Sequence, residues 1–212
     1  MKKVVLIGDS IRQGYDKYVK MAFEGVAEIF YPWDNCRFTG YILRHIMDWK
    51  NEMKCGDDVD LVHWNAGLWD DLVMLDGKNH TPIAYYKENI QRICDSIKIL
   101  FPKAKMIFAT STPIQEELFL GRCKRFNADT EKYNEQAIEI IKSNNGEIND
   151  LYSLVKGCPK DYYSDLTHLY TKQGTQLITE QVIRVIEESL LIKAKKLNYS
   201  ELFSNESKIV GM

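Results

Sequence analysis

The sequence predicts an α/β sandwich domain, a parallel sheet covered by helices on both faces. Short apolar runs alternate with longer segments of helical periodicity along most of the chain. Polar, turn-forming clusters follow several of these runs at their C-terminal ends, where parallel sheets bind ligands. Right-handed crossovers are expected between successive strands.

Val4 to Ile7 forms the first apolar run and breaks at Gly8-Asp9-Ser10. Such a run is a buried parallel strand, and its end opens onto a ligand crevice. From about residue 15 to 29, Tyr18, Val19, Ala22, Phe23 and Val26 recur at spacings of three and four, an amphipathic helix. Glu28 to Tyr31 reads as a short second strand ended by Pro32, and residues 33–40 form a polar turn. Tyr41, Ile42, His45, Ile46 and Trp49 share one face of a helix over about 39–50, which makes His45 a core histidine. Residues 59–64 are the third strand, with His63 inside it, and they finish in Asn65-Ala66-Gly67-Leu68-Trp69-Asp70.

The dozen residues up to Pro82, which include His80, are long enough for a functional loop. Ile83 to Leu100 is a helix with Ile90, Ile93, Cys94 and Ile97 on one face. Residues 105–110 are the fourth strand, and Arg122 and Arg125 fall in a polar turn that reads as a solvated loop. A helix over Asp129 to Lys142, a short strand at Glu147 to Asn149, a loop through Gly157 and Asp165, and a last helix over about 172–195 follow. One domain over residues 1–196 is expected, with 197–212 as a loose tail or an edge strand.

Composition narrows the function classes. A formal net charge of −2 in 212 residues gives no global basic field, so neither nucleic acid nor an anionic membrane is an expected partner. The five cysteines are scattered without a C-x-x-C pair, which points to reduced thiols and no metal site. The apolar run after Lys2 and Lys3 is too short for a signal-peptide core, so a cytoplasmic location is expected.

The chemistry lies in two distant pieces. Ser10 follows a strand and opens a helix, where free N–H groups and the helix dipole favour a developing anion. Asp9 and Ser10 are also common helix caps, so this piece has a purely structural reading as well. Asp165-Leu166-Thr167-His168 stands in a loop before the final helix. A serine hydroxyl needs a base, and the base needs an orienting group; Asp165 and His168 on one turn supply both. There is no G-x-S-x-G, P-loop, dinucleotide fingerprint or H-E-x-x-H.

These residues resemble the blocks of the SGNH (GDSL-type) hydrolase superfamily. Gly8-Asp9-Ser10-Ile11 with Gly14 resembles its first block, and Asp165 and His168 match its last, with the pattern extending over residues 3–195. Asn35 and Gly40 have the spacing of the second block; the third, usually Gly-x-Asn-Asp, is represented by Asn65-Ala66-Gly67. The resemblance implies a three-layer α/β/α sandwich on a five-stranded parallel, flavodoxin-like sheet. It also implies a cofactor-free, metal-free serine esterase with Ser10 as nucleophile, His168 as base and Asp165 as orienter. The oxyanion donors implied are the Ser10 and Gly40 amides and the Asn65 side chain, with the Gly67 amide competing. Asp9, Trp33, Trp69 and Tyr163 are candidate substrate contacts; packing is the alternative for the aromatic ones. The substrate expected is a small acyl ester, acetyl first, of a carbohydrate or similar polar alcohol. A lysophospholipase or thioesterase, or a binding protein that keeps the fold, is the alternative.

Overall fold

The computed structural model describes residues 1–209 apart from Arg122, with side chains as far as residue 204. Five strands, β1 (Lys2–Ile7), β2 (Ala27–Phe30), β3 (Leu61–Trp64), β4 (Lys105–Ala109) and β5 (Glu147–Asn149), form one parallel sheet in the order β2-β1-β3-β4-β5. Val4 of β1 pairs with Ile29 on one side and Leu61 on the other. The chain therefore steps outward to β2 and then back across β1 to β3. That reversal leaves a crevice beyond the C-terminal ends of β1 and β3.

The helices are α1 (Ser10–Ala22), α2 (Thr39–Met53), α3 (Ile83–Leu100), α4 (Asn127–Ser143), α5 (Leu151–Val155), α6 (Lys172–Leu190) and α7 (Tyr199–Ile209). Alternation along the strands divides the core in two. Val5, Ile7, Val62 and Trp64 face α2, α3 and α4, meeting Ile42, Trp49, Ile90, Ile93 and Ile141. Val4, Leu6 and Leu61 face α1 and α6, meeting Tyr15, Val19, Ile178, Val182 and Ile186. Each buried Val, Leu or Ile side chain contributes about 1.5–3 kcal/mol. The result is the three-layer α/β/α sandwich on a five-stranded parallel sheet.

Several boundaries differ from expectation for local reasons. The first helix begins at Ser10 and not near 15, because Asp9 caps it by accepting from the Ile11 N–H. It stops at Ala22, and Gly25 at φ +75° turns the chain into β2. The last core helix ends at Leu190, with Leu191 left-handed at φ 55°. The segment read as a loop after β5 holds α5 and a 3-10 turn at Lys160–Tyr162.

Residues 199–209 are helical, neither loose nor an edge strand. Tyr199 is buried, and the Phe203 ring stacks on Tyr18 at 5.8 Å and 12°. Tyr199, Leu202 and Phe203 form a stripe of one turn, too short for periodicity to register. The expectation for 210–212 lies outside the described residues. Among the described residues no helix is long and apolar enough to cross a membrane.

The two internal histidines behave differently. His63 is fully buried, bonded at Nε2 to Asn149 (3.1 Å) and at Nδ1 to Tyr15 (3.4 Å). Burial pushes its pKa down to about 3, so it stays neutral. His45 is not a core residue: it is half-buried against the Tyr41 ring, with Nδ1 3.3 Å from Asp48.

Candidate active site

The turn that carries Ser10 is built at the end of β1. Asp9 has no exposed surface, and its Oδ1 accepts both the Ile11 N–H and the Asn65 side-chain amide, each at 2.9 Å. Burial pushes the Asp9 carboxyl up, against the pull of these two donors. A Cβ on Gly8 would lie 1.9 Å from Asn65 Oδ1, so only glycine admits Asn65 here. Ser10, half-buried, is the first residue of α1, and its N–H is one that no intrahelical carbonyl can reach.

The loop before α6 meets this turn from the far end of the chain. His168 Nε2 lies 2.8 Å from Ser10 Oγ, and His168 Nδ1 lies 2.8 Å from Asp165 Oδ2. With Nδ1 donating to the carboxylate, Nε2 is left to accept the serine hydroxyl. Asp165 Oδ1 accepts the Thr167 and His168 N–H groups at 2.7 and 2.8 Å, which folds the four residues into one turn. Burial works against the Asp165 charge, but these N–H bonds and the imidazole outweigh it and hold the carboxyl below the ordinary aspartate range.

Arg12 joins the segment before α2 to the Ser10 turn. Only 1% exposed, its guanidinium binds the carbonyls of Gly8, Pro32 and Asp34 and pairs with Asp16. The Cys36 N–H adds a bond to Gly8 O at 3.1 Å, and Asn35 Oδ1 accepts the Arg37 N–H, closing a turn with Arg37 at φ 50°. The chain then enters α2, where Gly40 is the second residue and carries an N–H without an intrahelical acceptor. Asp70 secures that helix end: it accepts the Thr39 N–H (3.1 Å) and Thr39 Oγ1 (2.6 Å). Burial pushes Asp70 up to about 7 despite the Thr39 donors. Asp71 beside it, also pushed up to about 7 by burial, accepts from Thr130 Oγ1. Neither Arg12 nor Asp70 stands out in the sequence, because the contacts that tie them to the site, Pro32 O for Arg12 and Thr39 for Asp70, lie 20 and 31 residues away.

Asn65, expected as a side-chain oxyanion donor, is 2% exposed with its amide on Asp9, so it braces the Ser10 turn and does not front the crevice. Asp9, wholly buried, cannot touch a substrate. The Tyr163 hydroxyl donates to Pro113 O at 2.9 Å. Trp33 is 80% exposed, and Trp69 is half-buried. Gly67 has φ +150°, and a Cβ there would lie 2.4 Å from Ser111 Oγ. His80 packs against the Phe38 ring, with centroids 4.5 Å apart and the planes tilted by 59°.

Arg125 is not in a solvated loop: its side chain is 13% exposed, with Nε bonded to Leu68 O and 3.5 Å from Asp71. Arg122 lies outside the described residues. Among the described residues no group of three His, Cys, Asp or Glu side chains is arranged to hold a metal ion.

No protein-family model matches the chain. It is similar to a GDSL esterase/lipase of Oryza sativa subsp. japonica, 24% identical over 120 residues, covering 52% of this chain and 46% of that protein. The chain thus spans about half the length of the curated relatives it matches. Among solved structures it resembles a lipase/acylhydrolase from Enterococcus faecalis, with a TM-score of 0.68, 21% identity and coverage of 93% of this chain and 100% of the other. It also resembles the acetyl xylan esterase AlAXEase, with a TM-score of 0.69, 17% identity and coverage of 87% and 99%.

Proposed function

We propose that this chain, which carries the SGNH (GDSL-type) hydrolase fold, is a serine esterase with Ser10, His168 and Asp165 as its catalytic triad. The observation that carries the reading is the continuous Ser10 Oγ–His168–Asp165 chain, 2.8 Å at each link, with the serine at a helix N-terminus. Ser10 Oγ attacks the ester carbonyl while His168 Nε2 takes its proton. The charge gathered on the carbonyl oxygen is received by the Ser10 and Gly40 N–H groups, with the Gly67 amide as a third donor. Collapse expels the alcohol, protonated by His168. Water, deprotonated by the same imidazole, then attacks the acyl-enzyme and releases the acid. Asp165 holds the tautomer this requires and stabilises the imidazolium.

The substrate class is a small acyl ester, acetyl first, on a carbohydrate or similar polar alcohol. The likeness to an acetyl xylan esterase and the exposed Trp33, which offers a flat apolar face of the kind sugars stack on, support it. A longer acyl group, as in a lysophospholipase or thioesterase, is the second reading. It draws on exposed Leu118, Leu120 and Phe126, in the segment whose Gln115 N–H binds Leu166 O beside the catalytic turn. The test is a fluorophosphonate probe followed by p-nitrophenyl esters of increasing chain length and acetylated sugars. Labelling of the wild type but not of Ser10→Ala is the expected result; an unlabelled wild type makes the chain a binding protein.

A further inference from the structure

Tyr170, two residues beyond His168, touches both partners of the serine–histidine pair. Its ring stacks on the His168 imidazole, with centroids 4.6 Å apart and planes 23° apart. Its hydroxyl donates to the main-chain carbonyl of Ser10 at 2.5 Å. The same side chain thus grips the base on its face and the nucleophile's backbone at its tip. At 38% exposed, Tyr170 is not a core residue held there by burial alone.

A second observation comes from α1. Gly14 lies inside this helix, where glycine costs about 0.5–1 kcal/mol relative to alanine. A Cβ at Gly14 would lie 2.6 Å from Tyr170 Cε1 and 2.9 Å from Cδ1. The glycine leaves the space through which the ring reaches Ser10.

We infer that Tyr170 is a positioning residue that fixes the His168 ring opposite Ser10 by bridging the loop before α6 to the first turn of α1. His168 is supported along its ring edge by Asp165, which sets the tautomer but leaves the ring free to tilt about the Nδ1–Oδ2 line. The stacked tyrosine removes that freedom. Its π face also favours the imidazolium formed as Ser10 attacks, since an aromatic face attracts a cation. The hydroxyl adds registry: the Ser10–Ile11 peptide is held at its carbonyl by Tyr170 and at its N–H by Asp9 Oδ1. The proposal rests on the esterase reading above.

The test separates ring from hydroxyl and separates this proposal from the esterase reading. Wild type, Ser10→Ala, Tyr170→Phe, Tyr170→Leu, Gly14→Ala and the Gly14→Ala/Tyr170→Leu double variant are compared by ester kinetics, fluorophosphonate labelling rate and thermal melting. Tyr170→Leu is expected to lower kcat and the labelling rate by roughly ten- to a hundredfold with KM changed less than about threefold, because the loss falls on the transition state. Tyr170→Phe, which keeps the stack, is expected to recover most of that loss. Gly14→Ala, which favours the helix, is expected to lower kcat by crowding the ring and to cost nothing further beside Tyr170→Leu, the mark of a shared mechanism. A folded Tyr170→Leu with wild-type kcat and labelling rate overturns the proposal and leaves the esterase reading standing. Additive losses in the double variant overturn the assigned role of Gly14 and, with it, the bridge. A wild type that neither labels nor turns over any ester overturns both readings.

Discussion

Asn65 donates its side-chain amide to Asp9 Oδ1 at 2.9 Å, so the end of β3 holds the residue that caps α1. Both side chains are buried, and the bond sets the Ser10 turn without either residue reaching the crevice.

Asn65→Ala therefore acts on the fold before it acts on the reaction. It leaves a buried carboxylate short of a donor, a loss of about 1–3 kcal/mol, and Tm is expected to fall with activity. Circular-dichroism melts beside ester kinetics check this. An unchanged Tm with a hundredfold lower kcat returns Asn65 to the oxyanion site.

Gly67 has φ +150°, a conformation closed to side chains, and its missing Cβ faces Ser111 Oγ at 2.4 Å. Gly67→Ala is expected to lose about 1–3 kcal/mol of stability from backbone strain. Urea titration measures it, and a midpoint equal to wild type refutes the strain argument.

Asp165→Asn keeps an oxygen for the Thr167 and His168 N–H groups but presents an N–H to His168 Nδ1. The imidazole then takes the tautomer that cannot accept the Ser10 proton, and kcat is expected to fall by about ten-thousandfold while the fold survives. Less than a tenfold loss in the folded variant removes Asp165 as the orienting group.

Asp70 makes stability depend on pH. Burial lifts its folded pKa to about 7, above the 3.8 of an ordinary aspartate, so the folded state holds a proton that the unfolded chain has released. This contribution is complete below pH 3.8 and is lost as pH rises through about 7. Wild-type Tm is expected to decline over that window more steeply than Tm of Asp70→Asn, whose side chain does not titrate; Asp71 keeps part of the slope in both. Parallel Tm curves for the two proteins contradict a proton on Asp70.

The sequence alone determined what local rules govern. Apolar runs and helical periodicity specified the parallel α/β sandwich. Ile83–Leu100 and Glu147–Asn149 were readable to the residue, because turns and breaks bound them sharply. The order Gly-Asp-Ser after a strand, and Asp-x-x-His before the last helix, marked both ends of the candidate site. Elements shorter than two turns were not readable: α5 and the one-turn stripe of α7 fall below the length at which a period declares itself.

Only the tertiary structure decided which neighbours each side chain meets. Asn65 turns inward to Asp9, Arg125 folds down onto Leu68 O, and His45 stays near the surface beside Asp48. The Ser10–His168 contact joins residues 158 positions apart, and Tyr170 spans 160 positions to reach the Ser10 carbonyl. Pattern fixes which face of a strand or helix is apolar, because that is a property of the local repeat. Partners come from the crossing of β1, β3 and the loop before α6, and a buried polar group takes whichever donor or acceptor that crossing brings within about 3 Å.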